Sequence, residues 1–301
     1  MMINTLKNFT ATSGIIVLAA LTLLSCGNEG TENNGTNDSI PLIDSIPKHR
    51  AENAFYSIPS PIQLGQMLKR AGAGYDKKVL NPTENSSKYS SVNSKALNLG
   101  VYGADLSYSA VFNQPQEVMS YLTSSKKLAE ELGITTSFSA SVMERMEKNT
   151  GNRDSLLYII SELFLSSNEA LKENDQSHIS VLVLAGGFIE GMYVGTQVAK
   201  TVKNNKAIYA RIGEFRGSLN NLIMLVSTVN ESDVSEVLTD LRSIKAVYDE
   251  SAVVEEKATT EVDTTKKVMT IGGKSNYNLS NEQIEKITSI VADIRAKIIK
   301  P

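Results

Sequence analysis

HISVLVLAGGFIEGMYVGTQVAKTV (His178–Val202) is the longest apolar run after the N-terminal segment, and it carries Gly186, Gly187, Gly191 and Gly195. Each glycine inside a helix costs about 1 kcal/mol relative to alanine, so four cost about 4 kcal/mol. Close packing must offset that cost. Gly187, Gly191 and Gly195 fall at i, i+4 and i+8, on one face where a second backbone can approach. In the middle of the run sits one charge, Glu190. A matching partner lies upstream in KALNLGVYGADLSYSAVF (Lys95–Phe112). There Ala96, Gly100, Gly103, Ser107 and Ala110 recur at spacings of 4, 3, 4 and 3, and Asp105 is the one charge at the centre. Two small-faced helices, each with one interior acid, organise the chain.

Outward from this pair the pattern stays helical. Ser60-Pro61 reads as an N-cap with proline at the first helical position, opening a helix that Gly72 or Gly74 stops. A polar loop over 75–91, containing Asn81-Pro82, leads into the small-faced helix. After the break at Asn113-Gln114-Pro115, Val118, Tyr121, Leu122, Leu128 and Leu132 mark an amphipathic helix ending at Gly133. Further helices are predicted over 137–149, 154–173, 206–229 and 233–248. No stretch here alternates with period two for long. The expectation is an all-α, compact domain of about eight helices over 52–250.

Residues 251–267 are rich in Glu, Thr and Lys and read as a linker. Val268–Ile271 followed by Gly272-Gly273 predicts a short strand and turn, with 274–279 as the hairpin mate. Ser280 and Gln283 form a capping-box pattern. The helix behind it carries Ile284, Ile287, Val291, Ile294 and Ile298 at spacings of 3, 4, 3 and 4. Within 268–301 that stripe must dock, either on the body or on a protein partner in the envelope.

The N-terminus predicts location. Residues 1–25 pair Lys7 with an apolar stretch from Ile15 to Leu24, too short for a membrane span and suited to an export signal. Leu23-Leu24-Ser25-Cys26 resembles a bacterial lipobox, and Cys26 is the only cysteine. The resemblance implies cleavage before Cys26 and addition of diacylglycerol and a fatty acyl group such as palmitate. Two or more chains anchor a protein stably where one holds it marginally. Gly27, in place of Asp, is similar to lipoproteins sorted to the outer membrane; which face is left open. Residues 26–51, dominated by Gly, Asn, Ser and Thr, predict a flexible tether.

IPSPIQLGQMLK (Ile58–Lys69), KALNLGVYGADLSY (Lys95–Tyr108), LAEELGI (Leu128–Ile134) and GGFIEGMY (Gly186–Tyr193) resemble a family of uncharacterised Bacteroidota lipoproteins over roughly 52–250. The resemblance implies an envelope location and a helical fold, and brings no chemistry.

Composition excludes more chemistry than it suggests. The balance of 30 Lys+Arg against 33 Asp+Glu gives −3, or −4 once residues 1–25 with their single Lys7 are removed. That is not the basic surplus of a nucleic-acid binder, so no nucleic-acid partner is expected. One cysteine allows no internal disulfide, and two histidines are too few for a histidine-rich metal site or a catalytic triad. Gly272–Ser275 (GGKS) mimics the end of a phosphate-binding loop, but the first glycine that motif needs falls on Val268. No metal or cofactor is expected. What remains is the pair Asp105 and Glu190, each of which must find a cation, a hydroxyl or a proton once buried. Arg145, Arg153, Arg211 and Arg216 are the cations at hand. The pair reads as a buried structural network, or else as a ligand or carboxylate site. Three functions fit: an anchored interaction or ligand-binding domain, a structural subunit of an outer-membrane assembly, and an enzyme using the two acids. The first is favoured, since no catalytic motif supports the last.

Overall fold

The computed structural model describes residues 58, 60–203, 205–229, 231–251, 254–255, 259–263, 268–272, 275–276 and 279–301. The expected export signal of 1–25, Cys26 and the expected tether of 26–51 lie outside the described residues. Eight helices occupy the region from 61 to 249: α1 (Pro61–Arg70), α2 (Val92–Val111), α3 (Pro115–Glu131), α4 (Ala140–Lys148), α5 (Arg153–Glu173), α6 (Ser177–Ala199), α7 (Lys206–Val226) and α8 (Glu231–Asp249). A terminal helix, α9 (Asn281–Ile298), follows. The fold is all-α.

Local chemistry sets many of the boundaries. Ser60 and Gln63 close a reciprocal capping box ahead of α1, and Ser280 and Gln283 do the same ahead of α9. Each box satisfies two backbone donors that the first turn would otherwise leave unpaired. Gly72 and Gly133, at φ +86° and +80°, let the chain turn out of α1 and α3 in a conformation that side chains with a Cβ resist.

α6 forms the axis of the domain. It is apolar all round, which only a core helix or a membrane span can be. By length and composition it could cross a membrane, yet 78% of its apolar window is buried inside the protein. Helices α1, α2, α5, α7, α8 and α9 all pack against it. The tightest crossing is with α2, where a Cβ on Gly100 would stand 1.9 Å from the Val183 carbonyl oxygen. One on Gly186 would stand 2.0 Å from the carbonyl oxygen of Leu97. The backbones therefore touch at Gly100 and Gly186–Gly187, and any side chain there would force them apart.

The glycine face divides between two neighbours, contrary to the sequence reading of a single partner. Gly187 meets Gly100 on α2, but Gly191 faces Leu64 of α1, whose Cδ1 lies 2.4 Å from the Cβ position. Gly195 faces Leu68 at an ordinary 3.9 Å. Gly103 packs against the ring of Phe164 on α5. Helical rotation of 100° per residue explains the split, because i, i+4 and i+8 drift by 40° per step round the cylinder.

Between α8 and α9 the chain forms short extended pairs: β1 (Val254–Glu255), β2 (Thr259–Asp263), β3 (Val268–Gly272) and β4 (Ser275–Asn276). The expected strand at 268–271 is present, but its mate lies upstream. β3 runs antiparallel to β2 with Thr260 opposite Ile271, and β4 pairs with β1. The stretch taken as linker thus supplies two strands. Thr259, Thr260 and Val262 are β-branched and favour extended backbone even without an apolar period.

The stripe on α9 is spent within the body. Ile284, Ile287, Val291 and Ile294 are buried, Ile298 is half-buried, and α9 packs on α6 and α8.

Candidate functional site

Asp105 on α2 and Glu190 on α6 are both fully buried, and the crossing of their helices brings them together. The cation that meets them is Arg295 of α9. Its Nε donates to Glu190 Oε2 at 3.0 Å and its Nη2 donates to Glu190 Oε1 at 3.0 Å, a bidentate pair. Nη2 also donates to the Val79 carbonyl at 3.2 Å, and the guanidinium stacks 4.4 Å from the centre of the Tyr193 ring.

Arg145, Arg153, Arg211 and Arg216, the cations expected from sequence, are engaged elsewhere, with Glu162, Asp154, Glu214 and Asp249. Arg295 was missed because its helix lies beyond a segment read as linker. A signal existed: Arg295 stands four residues after Val291 and three before Ile298, on the flank of the apolar stripe. A lone arginine in that register must be buried with a partner.

Asp105 is held differently. Its Oδ2 accepts from the Asn81 backbone N–H at 3.0 Å, and Glu190 lies close enough for its charge to act on the carboxyl. Two neighbouring acids buried together cannot both ionise cheaply, so one of them keeps its proton. Burial, then the neighbouring Glu190 charge, holds the Asp105 acid well above the usual aspartate range. Oδ1 receives no donor, and we place the proton there. One guanidinium, one carboxylate and one carboxylic acid leave the buried cluster neutral, which is the state a low-dielectric interior favours.

The loop that presents Asn81 is pinned by tyrosines. Tyr121 donates to the Asn81 carbonyl at 3.1 Å, Tyr102 to Pro82 at 2.8 Å and Tyr108 to Gly74 at 3.0 Å. Burial pushes the Tyr108 hydroxyl up to about 12 and raises the other two as well, so all three remain donors. Asn81 Nδ2 bonds Tyr89 at 3.0 Å and reaches Asn98 at 3.4 Å. Asn98 in turn donates to the Ile298 carbonyl at 2.8 Å, and Tyr89 to Ile299 at 3.3 Å, capping the end of α9. Sequence reading missed Asn81 and Asn98, whose role needs the loop and α9 folded against each other. The acid pair is therefore a structural lock that fastens α9 to the core. Its arginine stands where a cation between carboxylates would stand, and among the described residues no three His, Cys, Asp or Glu side chains gather as metal ligands would.

A separate cavity of about 320 Å³ opens between the N-terminus of α1 and helices α5 and α6, with Gly100 and Gly187 in its wall. Leu165, Leu171, Val183, Leu184 and Phe188 supply apolar surface, and no lining residue is charged. Its polar side chains are turned inward on the protein. Ser161 and Ser167 donate to the Leu157 and Leu163 carbonyls of their own helix, and Ser60 and Gln63 are engaged in the α1 cap. Ser180 donates to Asn168 Oδ1 at 2.6 Å. The volume lies at the lower end of the roughly 300–1,000 Å³ typical of small-molecule sites. A second void of about 20 Å³ adjoins it, and Leu99, Phe164, Ser167 and Val183 line both.

Compared with protein-family models, curated proteins and solved structures, the chain matches none.

Proposed function

We propose that this chain is a lipid-anchored cell-envelope protein whose helical domain binds a neutral, mainly apolar small molecule. The observation that carries this reading is the cavity between α5 and α6, open, uncharged and of ligand size. The enzyme reading loses its support, because Asp105 and Glu190 are committed to Arg295 and Asn81. The assembly-subunit reading loses its mark, because the α9 stripe is covered by the protein's own helices. The anchor rests on the lipobox-like Leu23–Cys26 and the family resemblance, which favour the outer membrane.

Nile red, a neutral dye that brightens in apolar surroundings, should bind the full chain with one saturable site. Leu184 is half-buried on the cavity wall, so Leu184→Glu keeps its charge near water while spoiling the site. Binding should fall at least about tenfold with the helical circular dichroism unchanged. Equal dye binding by this variant would remove the cavity from the function. Cys26→Ala should in parallel release the chain from washed membranes and end its labelling with radioactive palmitate; continued labelling would remove the anchor.

A further inference from the structure

We infer that the cavity takes a single alkyl chain ending in an uncharged carbonyl head, an acyl ester or amide, with Asn168 as donor to the head and Phe164 as the stop for the chain. This rests on the ligand-binding reading above and names its ligand class. The head must be neutral, since no cation lines the cavity to compensate a carboxylate and no anion to compensate an amine. It must also accept a hydrogen bond. Asn168 is largely buried, and Ser180 already fills its Oδ1 at 2.6 Å, which fixes the amide with its NH₂ as the end left to donate.

The chain's depth is set by one side chain. The Phe164 ring lies across the space that a Cβ on Gly103 would occupy, 2.5 Å from its Cζ. The ring also lines the void of about 20 Å³, together with Leu106, Ser125 and Phe138. The Ser125 hydroxyl is buried there without a hydrogen-bond partner. An alkyl chain entering from the mouth therefore ends against Phe164, and removing the ring would join the two spaces.

Titration calorimetry with glycerol monolaurate, laurate and glycerol monopalmitate tests each part on the full chain. The monolaurate ester should bind at least roughly tenfold tighter than laurate, the cost of an uncompensated charge. Asn168→Ala should weaken the ester several-fold and leave Nile red binding in place. Phe164→Ala should shift the preference several-fold toward the monopalmitate, and Phe164→Leu should do so more weakly should alanine unfold the domain. Laurate binding as tightly as its ester would overturn the neutral head, and an unchanged chain-length preference in both Phe164 variants would overturn the stop. If the wild-type chain refuses esters that Cys26→Ala accepts with the same preferences, the protein's own acylated terminus is the occupant, which supports the assignment. Nile red bound with every ester refused by both chains sinks the ligand class alone; loss of Nile red as well sinks the binding reading with it.

Discussion

Arg295 and Glu190, 105 positions apart, meet through two hydrogen bonds of 3.0 Å in the interior of the domain. The contact joins the last helix to the central one and is roofed by the Tyr193 ring. Removing one member of a buried pair leaves the other without compensation, whereas replacing both by apolar groups is often close to neutral.

Glu190→Gln should therefore destabilise the domain by about 3–5 kcal/mol, and Arg295→Met by a similar amount. The double variant Glu190→Leu with Arg295→Met should be much milder than the sum of the single losses. Urea unfolding in a double-mutant cycle measures this coupling. Additivity within a few tenths of a kcal/mol would mean that the two groups do not depend on each other.

Asp105 gives the stability of the domain a pH dependence of definite sign. Its acid titrates higher in the folded protein than the ordinary value of 3.8. Above that value the unfolded chain releases a proton that the folded protein keeps. The contribution is thus complete below the ordinary value and is lost as pH rises through the folded one. Asp105→Asn mimics the protonated acid: its amide can donate to Glu190 and its carbonyl can accept from the Asn81 N–H. Stability of the variant should equal the wild type near pH 4, exceed it at alkaline pH, and show a flatter slope between. The same slope in both proteins at neutral and alkaline pH would mean that Asp105 is ionised in the fold.

Three glycines of α6, with Gly100 of α2, should rank by what stands opposite each. Gly186→Ala, like Gly100→Ala on α2, drives a methyl into a backbone carbonyl and should cost at least the upper part of the ~1–3 kcal/mol range of overpacking. Gly191→Ala meets only the flexible end of Leu64, so a gain of about 1 kcal/mol in helix propensity offsets most of its cost. Gly195→Ala has room and should be neutral or stabilising by up to about 1 kcal/mol. Thermal unfolding of the series reads the order directly, and equal losses at all positions would contradict the crossing geometry.

What could be read from sequence was what depends on nearby residues. The caps at Ser60 and Ser280, the stops at Gly72 and Gly133 and the small-residue seam through Gly100 each follow from spacings within a few turns. The acids Asp105 and Glu190 could be read as groups in need of partners. The partner was obscured by four arginines between 145 and 216, nearer in sequence, each of which has an acid of its own on the surface or beside it. Asn81 was hidden for a related reason: a loop asparagine shows no period, and its value lies in the backbone N–H it aims at Asp105. The cavity left no trace in the sequence at all. It is the space that α5 and α6 do not fill, and a pattern of apolar residues predicts contacts far better than gaps.

The distance along the chain between Glu190 and Arg295 also fixes an order of events. A ribosome or export channel delivers the polypeptide from its N-terminus, so Asp105 and Glu190 emerge long before the arginine that neutralises them. Until then Glu190 lacks its cation, and burying it as a carboxylate at the α2–α6 crossing would leave that charge uncompensated. The centre of the domain is completed only when α9 arrives. A chain interrupted before Arg295 therefore lacks the cation that meets Glu190 in the folded domain.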